Sequence, residues 1–279
     1  MKIASRLALV SLTLLVALPF LYSDEPQPAE PVTAILGALK DEVIALQAAL
    51  QDKSECKLLG ITFASGRLKG RRVVVASSGI GKVNAAASTA LLLDHFKPSE
   101  VLFTGVAGGL NRELKAGDIV IAEKTAQHDL GDFTDKGMER RGVSSPISGK
   151  RNPTFFAADP RLLLAAGKAA DQVQLSKIKI GDSEHSPRIV KGVVVSGDVF
   201  VASAEKSAEL RKSLGADAVE MEGAAVAQIC HQQGVPCLVI RSVSDLADAN
   251  AVSDFDTFAK QAARNAAELV AGIVEQLPK

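Results

Sequence analysis

Residues 72–104 read RVVVASSGIGKVNAAASTALLLDHFKPSEVLFT, and this stretch decides the fold. The apolar run in Arg72–Ala76 is typical of a strand buried on both faces, and the glycines after it predict a tight turn. Alanine and leucine then predict a helix over Val83–Phe96, and Val101–Thr104 is a second buried strand. A strand, a connecting helix and another buried strand in this order indicate an α/β fold.

The same alternation continues on both sides of this stretch. Further strands are predicted at Val32–Leu36, Asp118–Ala122, Lys191–Ser196, Ala218–Met221 and Val235–Ser242. Further helices are predicted at Asp41–Leu50, Asp159–Val173, Ala204–Leu214, Glu222–Gln233 and Thr257–Gln276. The polar segment Asp132–Asn152 is predicted to be a loop. We therefore expect a three-layer α/β/α sandwich around a mostly parallel mixed sheet, built as one domain over residues 32–279.

The N-terminal residues have the pattern of an export signal. Lys2 and Arg6 precede an apolar run over Leu7–Tyr22, which predicts a signal peptide over residues 1–23. Residues 24–31 (DEPQPAEP) form a Pro-rich spacer. The pattern predicts a periplasmic or secreted protein, and an uncleaved membrane anchor is the alternative. Because the apolar run is shorter than the roughly 20 residues of a spanning helix, we expect no stable span after cleavage.

Composition argues against several partners. Lys+Arg and Asp+Glu both total 32, so the formal net charge is zero, and nothing indicates binding to nucleic acid or to an anionic membrane. The three cysteines, Cys56, Cys230 and Cys237, match no zinc-binding spacing. The sequence has no cluster of His and Cys residues with metal-binding spacing, so no metal or other cofactor is implied. Cys230 and Cys237 are interpreted as small buried residues, and their pairing is the open alternative.

Six short motifs occur in order after residue 32, at the turns where an α/β sheet binds ligands. They are ILGALKDEV (35–43), SGIGKV (78–83), TGVAGGL (104–110), VSGDVFV (195–201), VEMEG (219–223) and RSVSDLAD (241–248). Together they resemble the nucleoside phosphorylase/hydrolase family, and within it the 5′-methylthioadenosine/S-adenosylhomocysteine nucleosidases. The resemblance implies hydrolysis of an adenine nucleoside with release of adenine, no cofactor, and a homodimer.

The implied reaction needs two carboxyl groups in different roles, one acid and one base. Asp245 resembles the general acid that protonates the purine N7, although a turn or helix-capping carboxylate is the alternative. Glu42 resembles the residue that orients and deprotonates the attacking water. Its alternative is a first-turn glutamate that interacts with the helix dipole. The resemblance therefore implies Glu42 and Asp245 as the catalytic pair.

Two neighbouring residues of the VEMEG motif resemble the family's ribose site. Glu222 resembles the residue that accepts hydrogen bonds from the 2′- and 3′-hydroxyl groups, because a carboxylate can bridge a vicinal diol. Met221 is expected to pack against the sugar, or else to fill a gap in the core. Glu220 is expected to be exposed or locally paired.

The adenine side of the site is expected to use the chain's scarce aromatic residues. Phe200 resembles the residue that stacks on adenine, with core packing as the alternative, and the Val201 backbone is expected to contact the purine edge. Phe255 resembles a residue that closes over the nucleoside, with a hydrophobic staple of the last helix as the alternative. The remaining expected pocket residues are Ala107, Gly108 and Ser244.

The GVAGG segment bears on whether water or phosphate attacks. Bacterial hexameric phosphorylases carry Arg and Ser where this chain has Phe103 and Val106, so we expect a phosphate to find no charge there. The nucleosidases commonly carry Ser at the Val106 position, so this chain departs from them. SGIGK lacks the spacing of a Walker A loop, and Lys82 is expected to be solvated or salt-bridged.

Two other functions remain open from the sequence. One is hydrolysis of a different purine nucleoside, such as futalosine or adenosine, and the other is nucleoside binding without catalysis. The presence of both Glu42 and Asp245 favours an enzyme. For the implied homodimer, the segment His128–Thr134 with Phe133 is the candidate loop that closes the neighbouring subunit's pocket.

Overall fold

A computed structural model describes residues 30–278 of the 279-residue chain. The predicted signal peptide, residues 1–23, and residues 24–29 of the predicted spacer lie outside the described residues. Among the residues that are described, no helix combines the length and apolarity needed to cross a lipid bilayer.

The strands and helices alternate along most of the described chain. The strands are β1 Thr33–Gly37, β2 Gln51–Leu58, β3 Ile61–Leu68, β4 Arg71–Ser77, β5 Glu100–Gly109, β6 Ile119–Gln127, β7 Gly131–Thr134, β8 Gly137–Arg140, β9 Phe155–Ala157, β10 Ile178–Ile180, β11 Ser183–His185, β12 Ile189–Ser196, β13 Ala218–Glu220 and β14 Cys237–Asp245. The helices are α1 Lys40–Ala48, α2 Lys82–Phe96, α3 Pro160–Ala170, α4 Ala204–Leu214, α5 Gly223–Gln233 and α6 Ala251–Gln276.

The large sheet has the order β13-β12-β6-β14-β5-β1-β4-β3-β2, and β9 pairs with β6. β1 is parallel to both β4 and β5, and β14 is parallel to β5. β14 is antiparallel to β6, so the sheet is mixed. β13 also pairs antiparallel with β5, which closes β5, β14, β6, β12 and β13 into a ring. The closure brings the ends of β12 and β13 beside the ends of β14 and β5.

Helices cover both faces of the sheet, as the apolar runs predict. One core cluster joins the sheet to α2 and α5 through residues such as Leu92 and Val226. The opposite cluster joins the sheet to α1, α3 and α6 through residues such as Leu46, Leu162 and Val270. Both clusters consist of side chains removed from water, which is the main favourable term in folding. The predicted three-layer α/β/α class is confirmed.

Several predicted boundaries are wrong. The hairpin β2–β3 was not predicted, because β2 is exposed or half-buried at every position and so lacks an apolar alternation. The predicted loop Asp132–Asn152 contains most of the hairpin β7–β8. The glycines of GVAGG do not form a turn: β5 runs through Gly109 and is buried along its whole length. Helix α6 begins at Ala251, six residues before the predicted start at Thr257.

Candidate active site

A cavity of about 420 Å³ lies where β1, β5, β12, β13 and β14 meet. Its lining is mostly apolar, with a few carboxyl groups that converge on it. Such a combination is typical of a small-molecule site. All ten residues that the sequence indicated line this one cavity: Glu42, Ala107, Gly108, Phe200, Val201, Met221, Glu222, Ser244, Asp245 and Phe255. Residues more than 200 positions apart are thus brought together by the fold.

Glu42 is buried at the third position of α1, 2% exposed. Its Oε2 accepts hydrogen bonds from the backbone N–H groups of Ala38 and Leu39, at 2.6 and 2.8 Å. Its Oε1 accepts one from the Val106 N–H at 3.0 Å. Burial raises the pKa of Glu42, although the nearby Arg241 guanidinium and these N–H donors oppose the rise. Glu42 therefore both caps its helix and presents a fixed, basic carboxyl group to the cavity.

Asp245 is the last residue of β14 and is 3% exposed. Its Oδ1 accepts a hydrogen bond from the Ala247 N–H at 2.9 Å, which is the turn contact expected of an aspartate after a strand. Its Oδ2 accepts one from the Ser244 hydroxyl at 2.8 Å. Burial raises the pKa of Asp245 above its ordinary value, so the carboxyl group holds its proton to higher pH. The turn role and the cavity position thus coexist in one residue.

Glu222 lies just before α5 and reaches across to the start of α2. Its Oε1 accepts a hydrogen bond from the Gly81 N–H at 2.8 Å. Burial raises the pKa of Glu222 to about 7, and the neighbouring Glu220 carboxylate adds to the rise. Within residues 30–278, the one hydrogen bond to the Glu222 carboxylate is that from Gly81, so the group has acceptor capacity left for a ligand.

Glu220 lines the cavity and forms a buried ion pair with Arg241, which the sequence did not indicate. Glu220 was expected to be exposed or locally paired. Its side chain is only 2% exposed, and it accepts local hydrogen bonds from the Glu222 and Gly223 N–H groups and a further one from Arg241 Nη2. Arg241 also lies 3.6 Å from Glu222 and packs 4.2 Å above the Phe103 ring. A buried arginine and a buried glutamate are costly unless paired. Arg241 lies in the RSVSDLAD motif and Glu220 in the VEMEG motif. The sequence does not show that these two motifs come into contact, so it gave no sign of the pair.

Two glycines of β5 allow the charged groups to approach the strand. A side chain on Gly105 would overlap both Arg241 Nη1 and Glu42 Oε1. A β-carbon on Gly108 would lie 2.9 Å from Asp245 Oδ1. The glycines thus make room for the carboxyl groups, although they do so from within a strand and not from a turn.

Phe200 and Phe255 contact each other at the mouth of the cavity. Their ring centroids are 6.0 Å apart with the planes at 88°, an edge-to-face arrangement. Phe200 is 47% exposed and so does not pack in the core. Phe255 is the fifth residue of α6, whereas a hydrophobic staple joins the residue before the N-cap to the fourth helical residue. Phe255 packs partly against Val106 and α6, and both rings line the cavity where a ligand would bind.

The expected environment of an attacking phosphate needs correction. Phe103 is fully buried beneath Arg241 and is not among the residues that line the cavity. Val106 does line it, and its side chain packs on Ala262 and Ala263 of α6. A cation, Arg241, therefore does lie near the cavity, contrary to the expectation of no charge there. Arg241 is paired with Glu220, and the Glu42 and Glu222 carboxyl groups also raise its pKa. Lys82 is salt-bridged to Asp129 at 2.5 Å.

No group of three or more His, Cys, Asp and Glu side chains within residues 30–278 is arranged to hold a metal ion. Cys230 is buried, Cys237 is half-buried, and both are free thiols. Their contact raises the pKa of Cys230, and burial adds to the rise. Neither cysteine lines the cavity that holds Glu42 and Asp245.

The comparisons with known proteins agree with this geometry. The sequence profile of the phosphorylase superfamily matches residues 32–275. A 5′-methylthioadenosine/S-adenosylhomocysteine nucleosidase of Bacillus thuringiensis (strain Al Hakam) is 37% identical over 245 residues, which cover 88% of this chain and 98% of the relative.

Solved structures of related enzymes are similar to this chain in fold as well as in sequence. The nucleosidase of the same kind from Neisseria meningitidis, in complex with methylthio-immucillin-A, has a TM-score of 0.75 and 40% identity, covering 88% of this chain and 99% of that one. Futalosine hydrolase of Helicobacter pylori strain 26695 has a TM-score of 0.75 and 33% identity, covering 88% and 98%. This chain belongs to the phosphorylase superfamily and, within it, to the 5′-methylthioadenosine/S-adenosylhomocysteine nucleosidases.

Proposed function

We propose that this protein hydrolyses the N-glycosidic bond of adenine nucleosides, 5′-methylthioadenosine and S-adenosylhomocysteine among them, and releases adenine. One observation carries the proposal: two buried carboxyl groups, Glu42 and Asp245, line the same cavity in separate hydrogen-bond environments. A pair of carboxyl groups in different surroundings can supply one acid and one base.

In the proposed reaction Asp245 is the acid. As the bond between the ribose C1′ and the purine N9 breaks, its electron pair moves into adenine, and N7 takes the Asp245 proton. Because burial raises the pKa of Asp245, the group stays protonated at a higher pH than an exposed aspartate. Ser244 acts through Asp245, since its hydroxyl donates to Oδ2 and fixes the carboxyl plane.

Glu42 is the base. A water on the opposite side of the sugar attacks C1′ as positive charge develops there, and its proton moves to Glu42. The raised pKa of Glu42 strengthens it as a proton acceptor, and the three backbone donors prevent it from turning away. The products are free adenine and the 5′-substituted ribose.

The other cavity residues bind the two halves of the nucleoside. Glu222 takes the vicinal hydroxyl groups of the ribose, and Met221 packs against the sugar. Phe200 stacks on the adenine, and Phe255 closes over the nucleoside. The Val201 backbone contacts the purine edge. Ala107 and Gly108 complete the wall through their backbone, which Gly108 brings close to Asp245.

Charge favours water over phosphate as the nucleophile. Three carboxyl groups, those of Glu42, Glu220 and Glu222, surround the single guanidinium of Arg241. A phosphate dianion entering beside them would meet like charges, and the nearby cation Arg241 already pairs with Glu220. A neutral water meets neither obstacle.

A panel of nucleosides tests the proposal. Purified protein is incubated with methylthioadenosine, adenosylhomocysteine, adenosine and futalosine, and free base is measured by chromatography. We expect adenine from the first two at the highest kcat/KM. Preference for futalosine would assign the chain to the other hydrolase that it resembles in structure, and nucleoside binding without release of base would show a non-catalytic binder.

We also propose a homodimer in which the segment His128–Thr134 of one subunit closes the pocket of the other. Phe133 is 87% exposed on β7, although His128 at the start of the segment is buried. The cavity mouth carries exposed Ile80, Val199 and Val252, an apolar rim that a second copy could cover. The side chain of Arg140 bonds to Glu209 of α4 and thereby fixes the hairpin that presents Phe133.

Finally, we propose that the chain is exported and acts in the periplasm or outside the cell. The support is the charge, length and apolarity of residues 2–23.

A further inference from the structure

Glu220 has more partners than any other carboxyl group at the cavity. Its Oε1 accepts hydrogen bonds from the Ser196 hydroxyl and, at 3.0 Å, from the Gly223 N–H. Its Oε2 accepts from the Glu222 N–H at 3.1 Å, from the Gly223 N–H at 2.8 Å and from Arg241 Nη2. Neither the proposed acid nor the proposed base contacts it directly.

The contacts of Arg241 show what Glu220 holds in place. Arg241 Nη1 donates to the Thr104 carbonyl oxygen at 2.9 Å, and its Nε has no hydrogen-bond partner within residues 30–278. Among the described residues, Glu220 therefore supplies the one charged hydrogen bond to this guanidinium. Glu222 stands 3.6 Å away, too far for a hydrogen bond. Without Glu220, the attraction between opposite charges would draw Arg241 toward Glu222 or Glu42.

The backbone contacts of Glu220 act on Glu222 by a second route. The N–H groups of Glu222 and Gly223 lie at the start of α5, and both donate to Glu220. Ser196 adds a link to β12, because its hydroxyl donates to Glu220 and accepts from the Ala224 N–H at 2.7 Å. One carboxylate thus fixes the backbone that carries Glu222 and the cation between Glu222 and Glu42.

We propose that Glu220 is a positioning residue of the reaction, which keeps Arg241 away from Glu222 and so leaves the Glu222 carboxylate free for the ribose. The inference rests on the proposed function. It assigns Glu220 no contact with substrate, and it makes the geometry of the ribose site depend on this buried ion pair.

The test compares Glu220→Gln and Glu220→Asp with the wild-type protein. Gln keeps the size and one acceptor but removes the charge, so Arg241 is expected to shift toward Glu222. We expect kcat/KM for methylthioadenosine to fall about 100-fold, the scale of a displacement of about 1 Å at a reacting centre. Asp keeps the charge but is one methylene group shorter, so its kcat/KM should lie between that of Gln and that of the wild type. Adenine alone does not reach the ribose site, so its binding by calorimetry should change less than threefold in both variants.

The matched control is Glu100→Gln. Glu100 is equally buried and pairs with Arg71 at 2.8 Å, and neither residue lines the cavity. This variant should lower the melting temperature and leave kcat and KM unchanged. The pH profile of kcat/KM gives a second readout, because removing the Glu220 charge beside Glu222, Glu42 and Arg241 should move its acid limb to lower pH only in the Glu220 variant.

The outcomes separate the inference from the proposed function. Failure of the wild-type protein to release any adenine contradicts the proposed function, whatever the variants do. With an active wild type, unchanged kcat/KM and pH profile in Glu220→Gln would overturn the positioning role. So would an equal loss of activity in Glu100→Gln, because stability alone would then explain the effect. If Glu220→Gln does not bind adenine, it is misfolded, and Glu220→Asp becomes the test. A Glu220→Asp protein with wild-type kcat/KM and only a lowered melting temperature also contradicts the inference.

Discussion

Glu42 and Arg241 converge on the α-carbon of Gly105, where a side chain of any size would overlap Arg241 Nη1 and Glu42 Oε1. The two residues are 199 positions apart in the sequence, on α1 and β14, and they meet because β1 and β14 both pair with β5. The burial that raises the pKa of Glu42 is thus accompanied by a fixed cation that limits the rise.

The first prediction concerns the nucleophile. Adenine release from methylthioadenosine should proceed at the same rate with and without added phosphate, because Arg241 is already paired with Glu220. The products are to be separated by chromatography and examined for phosphate esters. Formation of the 5-methylthioribose 1-phosphate would show a phosphorylase instead.

Asp245→Asn should lower kcat by about two to four orders of magnitude, the combined scale of lost acid catalysis and leaving-group stabilisation. Steady-state release of adenine measures the effect. Asp94→Asn is the control, since Asp94 is exposed on α2 and does not line the cavity. Comparable losses in the two variants would remove Asp245 from the role of acid.

Glu42→Gln should abolish turnover and leave the binding of a transition-state analogue within about tenfold of wild type, because the amide keeps an acceptor oxygen but cannot take a proton. Asp41→Asn, the exposed neighbour on the same helix, is the control and should be fully active. Single-turnover adenine release and analogue binding by calorimetry are the measurements. Near-wild-type turnover of Glu42→Gln would rule out this base.

The raised pKa of Glu222 predicts a dependence of stability on pH. Its folded pKa is about 7 and its ordinary value is 4.5, so between these values the folded state binds more protons than the unfolded chain. Its contribution is therefore present at low pH and is lost as pH rises through about 7. The melting temperature of Glu222→Gln should fall less than that of wild type between pH 5 and 8. Parallel curves for the two proteins would contradict the shift.

Without residues 1–31, the protein should sediment as a dimer at micromolar concentration, since obligate dimers usually bury about 2,000 Å² or more. Phe133→Asp should weaken the dimer and raise KM for methylthioadenosine. Leu59→Asp is the control, because Leu59 is equally exposed at 88% and lies in the β2–β3 turn. A fully active monomer would refute the shared pocket.

Expression of the full chain tests its location. The mature protein should be recovered from the periplasm with an N-terminus near residue 24, and a chain that begins at residue 32 should stay in the cytosol. Fractionation followed by N-terminal sequencing measures both. An intact N-terminus in the cytosol contradicts export, and an intact N-terminus in the membrane fraction indicates an uncleaved anchor.

The local pattern of the sequence determined most elements, and the resemblance of the six motifs to a known family indicated which residues form the site. Buried strands such as 73–76 and 101–104 are continuous apolar runs, and apolar residues in helices recur about every 3.6 residues. Both patterns can be recognised without knowledge of distant residues. The motifs contain Glu42, Glu222 and Asp245, which lie at the ends of elements, and all three line one cavity. The polar strand β2 has no such signal, because its pairing with β3 and not its burial makes it a strand.

The tertiary structure decided what surrounds those residues. Pairing of β13 with β5 closes the strand ring, and no local pattern specifies which edges of a sheet meet. That closure buries Glu220, which the sequence alone left as exposed or locally paired, and it pairs Glu220 with Arg241 from β14. Sequence alone determines which chemical groups the chain can offer, because residue type is local. Their pKa values and their freedom to bind depend on burial and on neighbours far along the chain, so only the folded structure decides them.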